Sequence, residues 1–205
     1  MSLNEPLLME LDQEGATTRR VLERIPSDKL SWRPHETARS LGELGVHIAT
    51  AQKIVTDALK KSSHEPEPPG VPVPSKAEGI VSLFDASLAS TKASLAAMTD
   101  ADLTSPWSLT IGGKPVFSAP KMGVVRAIVF NHIYHHRGQL GVYLRMLGVP
   151  VPSIYGPSGD ENPFAHSAST RMSGWAARSW RTRERASASS STSTAPRSRE
   201  AMARE

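Results

Sequence analysis

Apolar residues recur along this chain at the three-to-four-residue interval of a helix buried on one side, in four separate stretches. The first predicted helix runs from about Glu5 to Ile25, with Leu8, Leu11, Thr18, Val21, Leu22 and Ile25 on one face. Asn4 followed by Pro6 is a favourable start. The second begins at Ser40, where Ser40 and Glu43 make an S-x-x-E pair. In that pattern the hydroxyl oxygen accepts from a backbone N–H three residues on while the carboxylate reaches back. Leu44, His47, Ala51, Ile54 and Ala58 line its face to about Lys60. The third helix starts behind a similar pair, Ser75 and Glu78. Ile80, Leu83, Phe84, Ser87, Leu88, Thr91, Leu95 and Met98 carry it to about Thr99. The fourth opens at Ser118 and Pro120, and its inner face reads Val125, Ile128, His132, His136, Gln139 or Leu140, Tyr143, Leu147. Gly148 and Pro150 end it.

The connections are equally legible. From His64 to Pro74 there are five prolines (66, 68, 69, 72 and 74), too many for a helix and suited to an extended crossing. Between 105 and 117 the period drops to two at Trp107, Leu109 and Ile111. Gly112-Gly113 then offers a turn before Val116 and Phe117, which predicts a short hairpin or an ordered loop. The expected fold is all-α: a four-helix bundle with a long crossover between helices 2 and 3 and this hairpin before helix 4. Residues 1–165 form the expected domain. Residues 166–205 are different material, with ten Ser, eight Ala, four Thr and eight Arg but no Lys. They carry too little apolar surface to offset the entropy of ordering, so the tail is expected to be disordered and extraneous to the fold.

Charge changes the picture only once it is divided. The net +4 hides a tail with eight Arg against three acids, hence +5, and a body with sixteen basic and seventeen acidic residues, hence −1. The body gives no electrostatic reason to expect nucleic-acid binding. The acidic start, with Glu5, Glu10, Asp12 and Glu14 and no basic residue before position 16, is the wrong charge for a signal peptide. No apolar run reaches the ~18 residues of a membrane span. A soluble, cytoplasmic protein is expected. The absence of cysteine removes disulfides, thiolate ligands and a cysteine nucleophile.

Candidate chemistry lies in residues 131–140, Asn-His-Ile-Tyr-His-His-Arg-Gly-Gln-Leu. His132 and His136 are one turn apart and share a face. His47 holds a similar position on the second helix. Three unpaired imidazoles on inward faces are costly, and a divalent metal would satisfy one nitrogen on each while leaving a position open. The alternative is ordinary polar packing. Of the other histidines, His135 should point away, His35 is in the first loop, and His64 and His166 are in segments expected to be flexible. Glu43 could orient His47, but its capping role explains it equally well. Gln139 could hydrogen-bond a ligand or a bound water. Arg137 could bind an anionic substrate or pair with an acid across a subunit interface. Tyr143 could bring its hydroxyl to the cavity or be plain core.

The motif His-x3-His-Arg-Gly-Gln-Leu, followed by Tyr143-Leu144-Arg145 and by Val-Pro-Ser-Ile-Tyr-Gly-Pro-Ser at 151–158, resembles the DinB / YfiT-like family of metalloenzymes, unrelated to the polymerase that shares the name. Leu41 to Ala51 is similar to its first-histidine helix, and Trp32-Arg33-Pro34-His35 to the turn before it. The resemblance covers about 4–163 and does not extend to the tail. It implies a four-helix bundle, usually a homodimer, with a divalent metal on His47, His132 and His136. Zn and Ni are the expected ions. It also implies a transferase or isomerase that uses a low-molecular-weight thiol on a small electrophilic substrate, with Gln139 or Arg137 orienting it. Two other readings stand beside it: hydrolysis by a metal-activated water, for which His35 is the base to test, and a non-catalytic metal-binding stress-response module.

Overall fold

The computed structural model describes residues 2–66 and 70–165. The chain divides into two units, Met1–Asn162 and Pro163–Glu205, and the first is the helical bundle. The disorder expected of 166–205 lies outside the described residues. Four long helical runs build the bundle. They are α1 (Asn4–Leu22), α2 (Leu41–Ala58), α3 (Ala77–Ala96) and a composite fourth made of α5 (Lys121–Val124), a π segment (Val125–Phe130) and α6 (Asn131–Met146). A short α4 (Asp100–Thr104) and a sheet of β1 (Ser63–His64), β2 (Pro106–Ile111) and β3 (Lys114–Pro120) lie between. Among the described residues no helix is long and apolar enough to cross a membrane.

Local chemistry explains most of the ends. Ser40 Oγ accepts from Glu43 N at 3.2 Å and Glu43 Oε2 from Ser40 N at 2.7 Å, the expected capping box of α2. Ser75 does not cap α3. The N-cap position is Lys76, and the Ala77 N–H donates instead to Ser27 Oγ at 2.9 Å, a residue of the 3-10 turn Ser27–Lys29. A tertiary acceptor has replaced the local one. At its other end α3 stops at Ala96, and Asn4 Nδ2 reaches across from α1 to the carbonyls of Leu95, Ala96 and Met98. Thr99 then forms a capping box with Asp102 and launches α4, which the hydrophobic pattern did not indicate.

The hairpin is present. β2 and β3 are antiparallel, and Gly112 and Gly113 turn between them at φ 57° and 74°, the pair of positive angles a type I′ turn requires. Glu65 accepts from both turn N–H groups. β1 adds a parallel strand, with His64 opposite Leu109, inside the segment expected to be a featureless linker. The Trp107 indole donates to the last carbonyl of α2, Ala58 O, at 3.2 Å and so ties the hairpin to the bundle.

Helix direction follows from which residues share a core. One apolar cluster holds Leu7 and Leu11 of α1, Ala58 and Leu59 at the end of α2, Leu95 and Met98 at the end of α3, and Val124 to Ile133 of the fourth run. The other holds Val21 and Leu22, Leu41 to Ala49, Ala77 to Phe84, and Leu140 and Leu144. α1 and α6 therefore run one way and α2 and α3 the other, and a crossover as long as the bundle must join α2 to α3. Between the clusters each helix buries polar residues at the same level: Glu14 and Thr18, Gln52 and Thr56, Ser87 and Thr91, and Arg137. The bundle has a polar waist.

The fourth run departs from its expected face. Its buried stripe reads Val125, Val129, Ile133, Arg137, Leu140 and Leu144, with Phe130 beside it, not Ile128, His132, His136 and Tyr143, which are only partly buried. The stripe keeps a three-to-four-residue step through the π segment and lies one position on from the expected one, so the histidines come to the edge of the core rather than its centre.

Candidate metal centre

His47 projects from α2 between the buried Val46 and Ile48, and His132 and His136 from one edge of α6. The interlocked packing of α2 and α6 brings the three rings together. Their Nε2 atoms form a nearly equilateral triangle, 3.1 Å from His47 to His132 and 3.0 Å for the other two sides. The rings stand at 82° to 89° to one another. Each neutral imidazole has one N–H and one lone pair. Gln139 Oε1 lies 2.7 Å from His136 Nδ1, and a carbonyl oxygen only accepts, so the His136 proton sits on Nδ1 and its Nε2 presents a lone pair. A proton could bridge only one edge of such a triangle. A cation satisfies all three corners.

The donor set fits a divalent ion. With metal–nitrogen bonds of about 2.1 Å, nitrogens on one face of an octahedron stand about 3.0 Å apart and those at tetrahedral corners about 3.4 Å apart. The observed triangle matches the former and approaches the latter. Protonation does not compete near neutrality. Burial first, then the charge of Arg39 and the neighbouring imidazoles, takes His47 down to about 3. Burial first, then His136, His135 and Arg39, takes His132 to about 4. Burial also lowers His136, against the bond from Gln139. Three imidazoles with convergent Nε2 atoms could hold a metal ion, and among the described residues they are the whole cluster.

A cleft of about 670 Å³ opens beside the triad. His47 and His132 line one end, and Val46, Ala51, Ile54 and Val55 of α2 face Val71, Pro72 and Val73 of the crossover. This volume lies in the range of small-molecule sites. Gly42 permits the crossover to come so close. A Cβ there would stand 2.6 Å from Val73 Cγ1 and 3.1 Å from the Leu30 carbonyl.

The remaining candidates separate cleanly. Gln139 is at the site. Arg137 is not: it is 1% exposed and turns into the waist, with Nη2 2.7 Å from Glu14 Oε2, Nη1 3.1 Å from Thr18 Oγ1 and Tyr155 Oη at 2.5 Å. Its acid is on α1 of the same chain, not across a subunit interface. Arg137 belongs to the buried stripe of α6 with Ile133, Leu140 and Leu144, one position on from His132 and His136. Tyr155 donates to Glu14 Oε2 at 2.9 Å, so the Ser-Ile-Tyr-Gly-Pro-Ser strap is fastened onto that buried pair. Tyr143 packs edge-on against Trp32, centroids 5.5 Å apart, and its hydroxyl reaches Arg39 O at 3.4 Å, holding the loop before α2. Glu43 is occupied by Ser40 N and by Arg33 at 3.0 Å. His35 is exposed and bonded to Thr37, His135 is exposed, and His64 is in β1. His166 lies outside the described residues. Sequence reasoning missed Arg39, which lines the cleft, and Glu14, the partner of Arg137. Neither belongs to an apolar pattern that would point to it.

The family model described as the DinB family matches residues 1–171. The uncharacterized protein YrdA of Bacillus subtilis (strain 168) is 28% identical over 151 residues, covering 72% of this chain and 85% of its own length. A DinB-like protein of Bacillus cereus ATCC 10987, solved by crystallography, superposes with a TM-score of 0.59 at 28% identity, over 72% of this chain and 95% of that one. A second, YjoA of Bacillus subtilis, gives 0.59 at 21% identity, over 73% and 98%, which speaks to fold alone. The chain belongs to the DinB family, the helical-bundle proteins and not the polymerase of that name.

Proposed function

We propose that this DinB-family chain is a divalent-metal-dependent transferase or isomerase that brings a low-molecular-weight thiol and a small electrophile together in the cleft between α2 and the crossover. One observation carries the reading: three Nε2 atoms converge at 3.0–3.1 Å, and two of the three rings face a small-molecule-sized cleft. A Zn²⁺ or Ni²⁺ on His47, His132 and His136 would favour the thiolate over the thiol and polarise a carbonyl. The thiol must come from outside, since the chain has no cysteine.

The protein's own groups do the rest. Gln139 keeps the His136 proton on Nδ1 and so aims Nε2 at the ion, as acceptors behind a metal-bound histidine do. The aliphatic walls from Val46, Ile54, Val71 and Val73 exclude water and take an apolar body. Among the described residues no side chain in the cleft is placed as a general base for hydrolysis: the carboxylate that lines it, Glu43, is held by Ser40 and Arg33. His35, the base considered for that alternative, is bonded to Thr37 at 2.9 Å and is not among the cleft-lining residues.

The test is elemental analysis of the full-length protein, followed by turnover of a panel of small electrophiles with and without added thiol. Near-stoichiometric metal and turnover that requires both metal and thiol are expected. A parent protein that takes up neither Zn²⁺ nor Ni²⁺ would sink the reading, and thiol-independent turnover would shift it to hydrolysis.

A further inference from the structure

Among the described residues the cleft carries one cation, Arg39, that the triad does not use. Of the eight arginines among the described residues, six hold a carboxylate: Arg19, Arg20, Arg33, Arg126, Arg137 and Arg145. Arg24 and Arg39 do not, and of these two only Arg39 lines the cleft. Its main chain is fixed, because its carbonyl accepts from the Tyr143 hydroxyl and the next residue, Ser40, caps α2. Its guanidinium has no ion pair among the described residues. Glu43, the cleft's acid, already answers Arg33 and the Ser40 N–H. The cleft therefore offers, in one space, two imidazoles at one end, aliphatic walls, and an uncompensated guanidinium.

We propose that Arg39 is the anion-recognition residue of this cleft and that the small molecule bound there carries a carboxylate joined to an apolar body. This rests on the metal-site reading for where the other end of the molecule lies. Guanidinium is suited to the role, since its paired N–H donors match the two oxygens of a carboxylate and its charge is permanent. The aliphatic walls reject a fully polar ligand, because nothing on them would replace its hydration. Arg39 touches the ligand's anion and not the reacting atoms, so it should set affinity and leave the metal in place.

The experiment uses the full-length protein loaded with Co²⁺, its metal content measured first. It is titrated with mercaptohexanoate and with uncharged mercaptohexanol, both terminal thiols, while the sulfur-to-metal charge-transfer band is followed. Arg39→Gln and Arg39→Lys are run alongside. The acid should bind roughly fivefold more tightly than the alcohol, the size of one partly exposed charge pair. Arg39→Gln should make the two equal, with unchanged cobalt content and unchanged affinity for the alcohol, and Arg39→Lys should keep part of the preference. Equal affinities in the parent, or a preference that survives in Arg39→Gln, overturn the proposal. A protein that takes no cobalt refutes the metal reading alone. Calorimetry of hexanoate against hexanol on the metal-free protein then decides the anion seat: the same preference, lost in Arg39→Gln, upholds it, and no preference overturns it.

Discussion

Single residues divide between those that hold the site and those that hold the bundle. Replacing either His132 or His136 by Ala removes one corner of a triangle with 3.0 Å sides, and bound metal should be lost in both variants while the far-ultraviolet circular dichroism stays helical. Gln139→Ala leaves all three Nε2 atoms but frees the His136 tautomer, so competition with a chelator should show about tenfold weaker metal binding. In the metal-free protein the same histidines set an acid limit. Their folded values, about 3 for His47 and about 4 for His132, lie below the ordinary 6.5, so the unfolded chain takes up protons first as pH falls. Stability is complete above that ordinary value and is lost as pH falls through the folded ones. Urea midpoints across this range should fall less steeply in His132→Gln than in the parent. At the waist, Gln52 is 1% exposed and neither of its amide atoms has a partner among the described residues. Gln52→Met keeps the volume and removes the unmet groups, so chemical denaturation should show a gain of about 1 kcal/mol. A loss of that size would mean that a buried water answers the amide.

At the scale of elements, the site depends on how α2 starts and on what packs against it. The capping box at Ser40 fixes the entry of α2 directly after Arg39 and seven residues before His47. Ser40→Ala should cost about 1 kcal/mol by thermal or urea unfolding. The crossover is pressed onto α2 over Gly42. Gly42→Ala sets a methyl 2.6 Å from a Val73 methyl, so the cleft wall must shift. Ligand affinity should fall in that variant while metal content, set by residues further along α2 and on α6, does not change. The element chemistry was legible wherever partners are close in sequence. Ser40 with Glu43 and Gly112 with Gly113 are correct as read. Ser75 with Glu78 is not, because Ser27, distant in sequence, supplies the acceptor for Ala77 N. The parallel pairing of β1 with β2 joins residues more than forty positions apart and has no local sign.

The whole molecule is two apolar clusters with a polar layer between them, and the triad lies at the rim of that layer. Buried Glu14–Arg137 is weak evidence of stability, because desolvating both charges offsets most of their attraction. Breaking it is another matter: Glu14→Gln leaves the guanidinium uncompensated at 7% acid and 1% arginine side-chain exposure and should cost about 3 kcal/mol. A chain ending after residue 165 should keep its metal content and melting temperature, since the Ser/Ala/Arg-rich remainder has little to bury. A homodimer is what the family resemblance implies, and light scattering on the eluted protein tests it.

The sequence by itself determined the helices, their long crossover, the glycine turn, and the three histidines, because each is written in spacing over a few residues. A helix has a period, a cap has a fixed offset, and an i to i+4 histidine pair shares a face wherever the helix lies. Tertiary structure alone decided what faces what. The fourth run buries the stripe Val129, Ile133, Arg137, Leu140 and Leu144, one position on from the expected one, so Arg137 turns inward while His132 and His136 stand at the edge, and only the neighbouring helices choose between two adjacent stripes. Packing of α2 against α6 drew His47 to within 3.1 Å of its partners, and the crossover walled a cleft around Arg39. Those outcomes depend on distances between residues far apart in the chain, and only the closed bundle sets them.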